Sequence, residues 1–346
     1  MTSETATSSD KFVVIGAGSW GTALAIQLSR AGNTVTLWGR DATHCADMKV
    51  ARSNSKYLPG SVFPDNLSIV GDLRKALDDA KYVLISVPSH AFRDVLLQLQ
   101  SLLGSRIASV KLCWATKGFE LSSGALPHQV VQKVLPQCHD YAVVSGPTFA
   151  LEVGAGLPTA ITVAGANEAW SVELANLLRT KTFIAYTSQD IVGVEIGGAV
   201  KNALAIGAGL SDGLGFGANA RIALINRGLR ELSRLGVAMG ASAETFVGLA
   251  GMGDLVLTCT DNQSRNRRMG LALAGGKTID EAAEEIGQVV EGIGAATAVY
   301  EQAQRLEVRM PIIEQIYRVV VDGVDPRDAV EALLNRELNA AGAEHG

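Results

Sequence analysis

The stretch KFVVIGAGSWGTALAIQLSRAG, residues 11–32, begins as an apolar run, turns on glycines, and continues with helical periodicity to Gly32. Gly16, Gly18 and Gly21 make up G-A-G-S-W-G at the junction. A strand feeding a helix through three glycines is built to bring backbone N–H groups against a pyrophosphate. The first glycine permits the tight turn, the second lets the backbone approach the anion, and the third allows close helix–strand packing. A bare GxGxxG is a weak signal. Here strand, spacing and helix agree, so a dinucleotide site is expected.

Working outward, TVTLWGR, KYVLISVP, SVKLCWATKG, YAVVSGPTFA, TAITVAG and TFIAYTS read as further strands. HAFRDVLLQLQSLL and LPHQVVQKVL read as helices between them. Alternating strands and helices predict an α/β fold, a Rossmann-type doubly wound parallel sheet with helices on both faces. After about Asp190 the β-type runs stop. GVEIGGAVKNALAIGAGL, NARIALINRGLRELSRLG, TIDEAAEEIG, ATAVYEQAQRL and DPRDAVEALLNREL all read as helices. The expected organisation is a disordered tail over 1–10, a Rossmann domain over 11–190 and an all-helical domain over 191–340. The helical part is taken to be like the C-terminal domain of 6-phosphogluconate dehydrogenase. With no low-complexity linker, the domains are expected to pack closely around a cleft.

At 346 residues, two domains are the default. A formal net charge of −5 argues against a dedicated nucleic-acid binder, which needs a broad cationic surface. Cys45, Cys113, Cys138 and Cys259 are scattered without a CxxC pair, and the five histidines lack ligand spacing, so no metal site is expected. The Ser/Thr-rich start lacks the features of a signal peptide. The most apolar long window, 143–165, is interrupted by Pro147, Glu152 and Pro158, so no membrane-spanning helix is expected. Reduced cysteines and no leader make a cytoplasmic protein the expectation.

Five places carry candidate chemistry. An NAD-selective site has an acid about 20 residues past the glycines. Gly39 and Arg40 stand there, and an arginine pairs with a 2′-phosphate, so NADPH as well as NADH should be accepted. Residues 193–209 hold nine Gly or Ala, with Lys201 the only cation. Desolvation in such a setting lowers a lysine pKa from about 10.4 toward roughly 7–8, the range suited to proton transfer. A lysine snorkelling to solvent is the plain alternative. Lys117 follows a strand in WATKG, and the carboxyl ends of strands line the ligand crevice of open α/β sheets. Gly146 and Thr148 follow another strand in SGPTFA, where backbone and hydroxyl suit a small polar ligand, or form an ordinary turn. Asp254 is a lone acid in an apolar run, GLAGMGDLVLT, and needs a partner, for which Lys201 is the candidate.

With these residues assembled, the chain resembles the NAD(P)-dependent glycerol-3-phosphate dehydrogenases of the bacterial biosynthetic type, from about residue 11 to 338. The resemblance rests on ordered blocks: GAGSWGTALA, LPG, ATKG, SGPTFA, VEIGGAVKNALAIGAG, GLAGMGDLVLTCT and SRNRRMG. It implies reversible reduction of dihydroxyacetone phosphate to sn-glycerol 3-phosphate with NADPH or NADH, for glycerophospholipid synthesis. By resemblance Lys201 gives or takes the hydroxyl proton, Asp254 orients it, and Lys117 reaches substrate and cofactor. Gly146, Thr148, Ser264, Arg265 and Asn266 match substrate positions. Ser19, Trp20, Arg40, Ala150, Arg265, Val289 and Glu291 match cofactor positions beside Gly16, Gly18 and Gly21. Thr148 stands where the family often has serine, and Met252 where it often has leucine.

The cationic cluster of Arg265, Arg267 and Arg268 in TCTDNQSRNRRMG is then expected to face the phosphate of a three-carbon ester. Arg265 is the direct contact, while Arg267 and Arg268 supply field or meet acids. Another Rossmann dehydrogenase acting on a 3-hydroxy acid or sugar-acid phosphate, a non-catalytic redox sensor, and nucleic-acid binding through SRNRR are the rival readings. The expected partners are a small phosphorylated substrate and, as an assembly, a homodimer, although nothing in the sequence sets the oligomeric state.

Overall fold

The computed structural model describes residues 11–333, so the expectation for the tail over 1–10 and for residues beyond 333 lies outside the described residues. The chain divides into two compact units. The first comprises residues up to Thr116, His128–Val144 and Thr148–Ile191. The second comprises Lys117–Pro127, Ser145–Pro147 and everything from Val192 on. Two short loop segments from the N-terminal half therefore group with the helical residues, a division that a single cut near 190 does not describe.

The first unit is built on ten strands: β1 (Lys11–Ile15), β2 (Thr34–Trp38), β3 (Ser53–Asn54), β4 (Leu58–Val62), β5 (Leu67–Val70), β6 (Tyr82–Ile85), β7 (Lys111–Trp114), β8 (Tyr141–Ser145), β9 (Thr159–Gly165) and β10 (Phe183–Ser188). Eight of them form one sheet in the order β10-β9-β8-β7-β6-β1-β2-β5, and β3 pairs antiparallel with β4. The pairs β2–β5, β1–β2, β1–β6, β6–β7, β7–β8 and β9–β10 are parallel. Parallel strands covered on both faces read as unbroken apolar runs, and Phe12 to Ile15 and Tyr82 to Ile85 are buried without alternation. The order reverses direction between β1 and β6, the position at which open α/β sheets bind their ligands. All seven runs picked from the sequence are strands. The strand β5 and the β3–β4 pair were not anticipated. The four residues of β5 are too short to show a period, and β3 has only two residues.

The second unit is helical among the described residues. Its axis is the 23-residue helix Ile191–Gly213, buried from Gly193 through Ser211. It is long and apolar enough by length and composition to cross a membrane, yet it is mostly buried inside the protein. The most apolar window of the sequence, 143–165, contains the end of β8, the helix Ala150–Ala155 and all of β9. Small residues let other backbones touch the axis. A Cβ at Gly197 would collide with the Ala250 carbonyl oxygen, and Gly209 and Gly270 face each other across the contact with helix Arg265–Ala274. Helix Pro311–Val320, which the sequence reading passed over, is fixed by the buried carboxylate of Glu231, which accepts from Ile312 N at 2.9 Å and from Ile313 N at 3.2 Å.

Candidate functional site

In the sheet unit, the glycine turn links β1 to helix Ser19–Arg30. Gly16 has φ +117°, and a Cβ there would stand 2.5 Å from the Ser86 carbonyl oxygen. A Cβ at Gly21 would strike the Gly16 carbonyl, while one at Gly18 would meet nothing within 4 Å. Two glycines are thus forced by packing, and the middle one leaves its backbone open to an approaching group. The helix that follows has Gly18 at its N-cap without a side-chain cap, so its first N–H groups and its positive end are offered outward. Ser19 and Trp20 form its first turn, and Trp20 Nε1 is buried without a hydrogen-bond partner. These features fit a dinucleotide pyrophosphate. Arg40 lies exposed two residues past β2. Thr148 and Ala150 are half-buried in the same unit, with Ala150 opening helix Ala150–Ala155.

The helical unit holds the buried charges. Asp254 starts helix Asp254–Thr260, directly after a π-helical turn over Leu249–Gly253. Such single π turns recur at functional sites because they re-aim one side chain. Asp254 is 0% exposed and Lys201 7%. One Asp254 oxygen, Oδ1, accepts from Lys201 Nζ, and the other, Oδ2, accepts from Lys117 Nζ at 2.6 Å. Lys201 Nζ also donates to Thr258 Oγ1 at 3.0 Å, and that hydroxyl donates to the Asp254 carbonyl at 2.6 Å. Burial pushes the Lys201 pKa down to about 8; the Asp254 carboxylate pulls it back up and the Lys117 ammonium adds to the fall.

A second cluster lies on the adjacent face of the same helix. Asn202, one residue on from Lys201, accepts at Oδ1 from Asn266 Nδ2 at 2.9 Å and reaches Glu291 at 3.4 Å. Asn266 Oδ1 accepts from Gly292 N at 2.9 Å. Arg265 Nη1 donates to the Val289 carbonyl at 2.9 Å. Ser264 is the N-cap of helix Arg265–Ala274, its Oγ accepting from Arg267 N at 3.2 Å. Arg267 is spent internally, on the Cys259 carbonyl at 3.1 Å and on Asn262 and Asp212. Of the arginine cluster, Arg265 therefore has guanidinium N–H groups to spare, while Arg267 meets an acid as expected.

The structure thus brings Lys117, Lys201 and Asp254 into one cluster, and Arg265, Asn266, Val289 and Glu291 into another. Gly146 belongs to the same unit, with φ +146°. Two participants escaped the sequence reading. Thr258 stands four residues after Asp254, a helical i,i+4 pair that was legible. Asn202 gave no signal beyond adjacency to Lys201. Among the described residues no group of three His, Cys, Asp or Glu is placed to hold a metal ion.

A parallel sheet with a glycine turn at its switch point, followed by a helical unit with a buried lysine–carboxylate pair, defines a nicotinamide-dependent oxidoreductase. The family profile described as NAD-dependent glycerol-3-phosphate dehydrogenase N-terminus matches residues 11–171, and the corresponding C-terminus profile matches 190–331. The chain is 52% identical over 325 residues to glycerol-3-phosphate dehydrogenase (NAD(P)+) of Idiomarina loihiensis, covering 94% of this chain and 97% of the relative. It is 54% identical over 328 residues to the enzyme of the same name from Shewanella frigidimarina, covering 94% and 96%. A crystal structure of glycerol-3-phosphate dehydrogenase from Coxiella burnetii is similar with a TM-score of 0.89 and 44% identity, over 94% of this chain and 98% of that one. The chain belongs to the NAD-dependent glycerol-3-phosphate dehydrogenase family.

Proposed function

We propose that this oxidoreductase reduces dihydroxyacetone phosphate to sn-glycerol 3-phosphate, and catalyses the reverse, by way of the Lys201–Asp254–Lys117 cluster. The arrangement of two ammonium groups on one buried carboxylate carries the reading. A ketone reduction needs a proton at the oxygen as charge appears there. Lys201, held near pKa 8, has a proton to give and can take one back. Asp254 keeps the ammonium aimed and charged, and Lys117 on its second oxygen adds positive potential for the developing alkoxide. When bound, the reduced nicotinamide supplies the hydride. Gly16, Gly18, Ser19, Trp20 and Gly21 would hold its pyrophosphate, and Arg40 a 2′-phosphate, so NADPH is accepted alongside NADH. Ala150, Val289 and Glu291 would serve the same cofactor.

The substrate phosphate is assigned to Ser264, Arg265 and Asn266, at the N-terminus of a ten-residue helix whose positive end favours an anion. Gly146 and Thr148 contribute polar contacts. The product fits a supply of glycerol backbone for phospholipids, and the four free, buried cysteines fit a cytoplasmic location. Initial rates with dihydroxyacetone phosphate and each nicotinamide test the reading. Oxidation of NADPH or NADH with this substrate, and none with unphosphorylated hydroxy acids, is the expected result; the opposite pattern removes it.

A further inference from the structure

We propose that Ser145 is a substrate-binding residue whose hydroxyl receives the free hydroxymethyl group of dihydroxyacetone phosphate. The inference rests on the activity proposed above and adds a contact for the hydroxymethyl end of the substrate. Ser145 is the last residue of β8 and groups with the helical unit. It is 2% exposed, and its Oγ has no hydrogen-bond partner. Buried hydroxyls are paired as a rule, and an orphan destabilises the fold, so its retention needs a reason.

Its surroundings supply one. The position a Cβ would occupy on Gly198 lies 3.2 Å from Ser145 Oγ and 3.3 Å from Lys117 Cγ and Cδ. The hydroxyl and the Lys117 stem therefore pack together over the Gly198 backbone of helix Ile191–Gly213, in the space a side chain there would take. Gly198 precedes Lys201 by three positions, and helical side chains lean toward the N-terminus. The Lys201 stem consequently shares the face of Gly198. The orphan hydroxyl thus packs with the stem of one lysine that Asp254 gathers, Lys117, over the helix face that carries the other, Lys201. Dihydroxyacetone phosphate has three polar features: the phosphate, the carbonyl oxygen and a hydroxymethyl group. The first is assigned to Ser264–Asn266 and the second to Lys201. A serine hydroxyl, both donor and acceptor, suits the third.

The test compares two substrates in two proteins. Acetol phosphate is dihydroxyacetone phosphate with a methyl in place of the hydroxymethyl group. In Ser145→Ala, kcat/KM for dihydroxyacetone phosphate should fall about tenfold, because the substrate hydroxyl then goes unpaired. With acetol phosphate it should change less than about twofold. If acetol phosphate turns over too slowly, its competitive inhibition constant gives the same comparison. Ser145→Cys, close in shape with a weak donor, should lose the same selectivity, which guards against a folding defect in the alanine variant. An equal fall with both substrates, or no change with either, overturns the proposal. Absence of turnover by the unaltered protein would instead remove the activity on which it rests.

Discussion

Lys117 Nζ lies 2.6 Å from Asp254 Oδ2, on the carboxylate oxygen that Lys201 does not use. Asp254 is therefore the hinge of the charge arrangement, holding one negative charge between two positive ones. In Asp254→Asn two like charges remain in a buried place with no counter-charge. Breaking a buried ion pair from one side costs about 3–5 kcal/mol, so the melting temperature should drop by several degrees or more. Without the carboxylate that raises it, the Lys201 pKa should move below 8. The alkaline limb of the reduction profile should shift acidward with it. A pH–rate profile unchanged in this variant would separate Asp254 from proton transfer.

In the unaltered protein the sign follows from the direction of the reaction. Reduction needs Lys201 protonated, so its kcat/KM should fall as pH rises through about 8. Oxidation needs the neutral amine and should rise through the same pH. Profiles of the two directions that run parallel would contradict the assignment.

Lys201→Met removes the proton while keeping an apolar stem of similar length. General acid–base groups contribute on the order of 10²–10⁴-fold, so turnover should fall at least a hundredfold. Reduced nicotinamide binding, followed by its fluorescence, should barely change, because the residues assigned to the pyrophosphate are on another unit.

Arg265→Lys tests the phosphate contact. Arg265 spends one N–H on the Val289 carbonyl and keeps the rest of its fork. A lysine retains charge but not the planar pair of donors. Each charge-assisted bond is worth about 1.5–3 kcal/mol, so KM for dihydroxyacetone phosphate should rise on the order of a hundredfold, with a smaller effect on kcat. Equal losses for kcat and KM would point to a role nearer the reacting atoms.

The backbone fold was legible wherever one local rule sufficed. The run Phe12–Ile15 is apolar throughout because a parallel strand has two covered faces, and the glycines after it declare the turn. Arg267 was harder. In the sequence it looks like its neighbour Arg265, and only the fold shows it tied to Asp212, 55 positions away, and so unavailable to a ligand. The link from Lys117 to Asp254 spans 137 positions; nothing local in WATKG or GMGDL marks it. Asp254 invited a partner because a buried acid needs one, yet that rule does not count partners. The same limit hid Ser145, whose meaning lies in a hydrogen bond the fold leaves unmade.

Packing as well as charge should bear on which nicotinamide is accepted. In a sheet of this type, selectivity for NAD comes from an acid at the end of the second strand, which takes the ribose hydroxyls. Gly39 stands just past β2, and a Cβ there would lie 2.8 Å from Cys45 Sγ and 3.0 Å from Ala17 Cβ, so an acid is not accommodated without movement. Asp41 is committed elsewhere: it caps helix Ala42–Ala51, accepting from Thr43 N at 3.0 Å and His44 N at 3.1 Å. The His44 bond is the main cause holding its carboxyl below the usual range. That leaves the exposed Arg40 as the charged group with freedom to meet a 2′-phosphate. Arg40→Ser should therefore raise KM for NADPH about tenfold, in line with the loss of one charge-assisted contact. The KM for NADH should stay within about twofold. Added salt should also raise the KM for NADPH more than that for NADH in the unaltered protein, since an exposed pair is screened. A KM for NADPH that does not respond to Arg40→Ser would assign the 2′-phosphate to another residue.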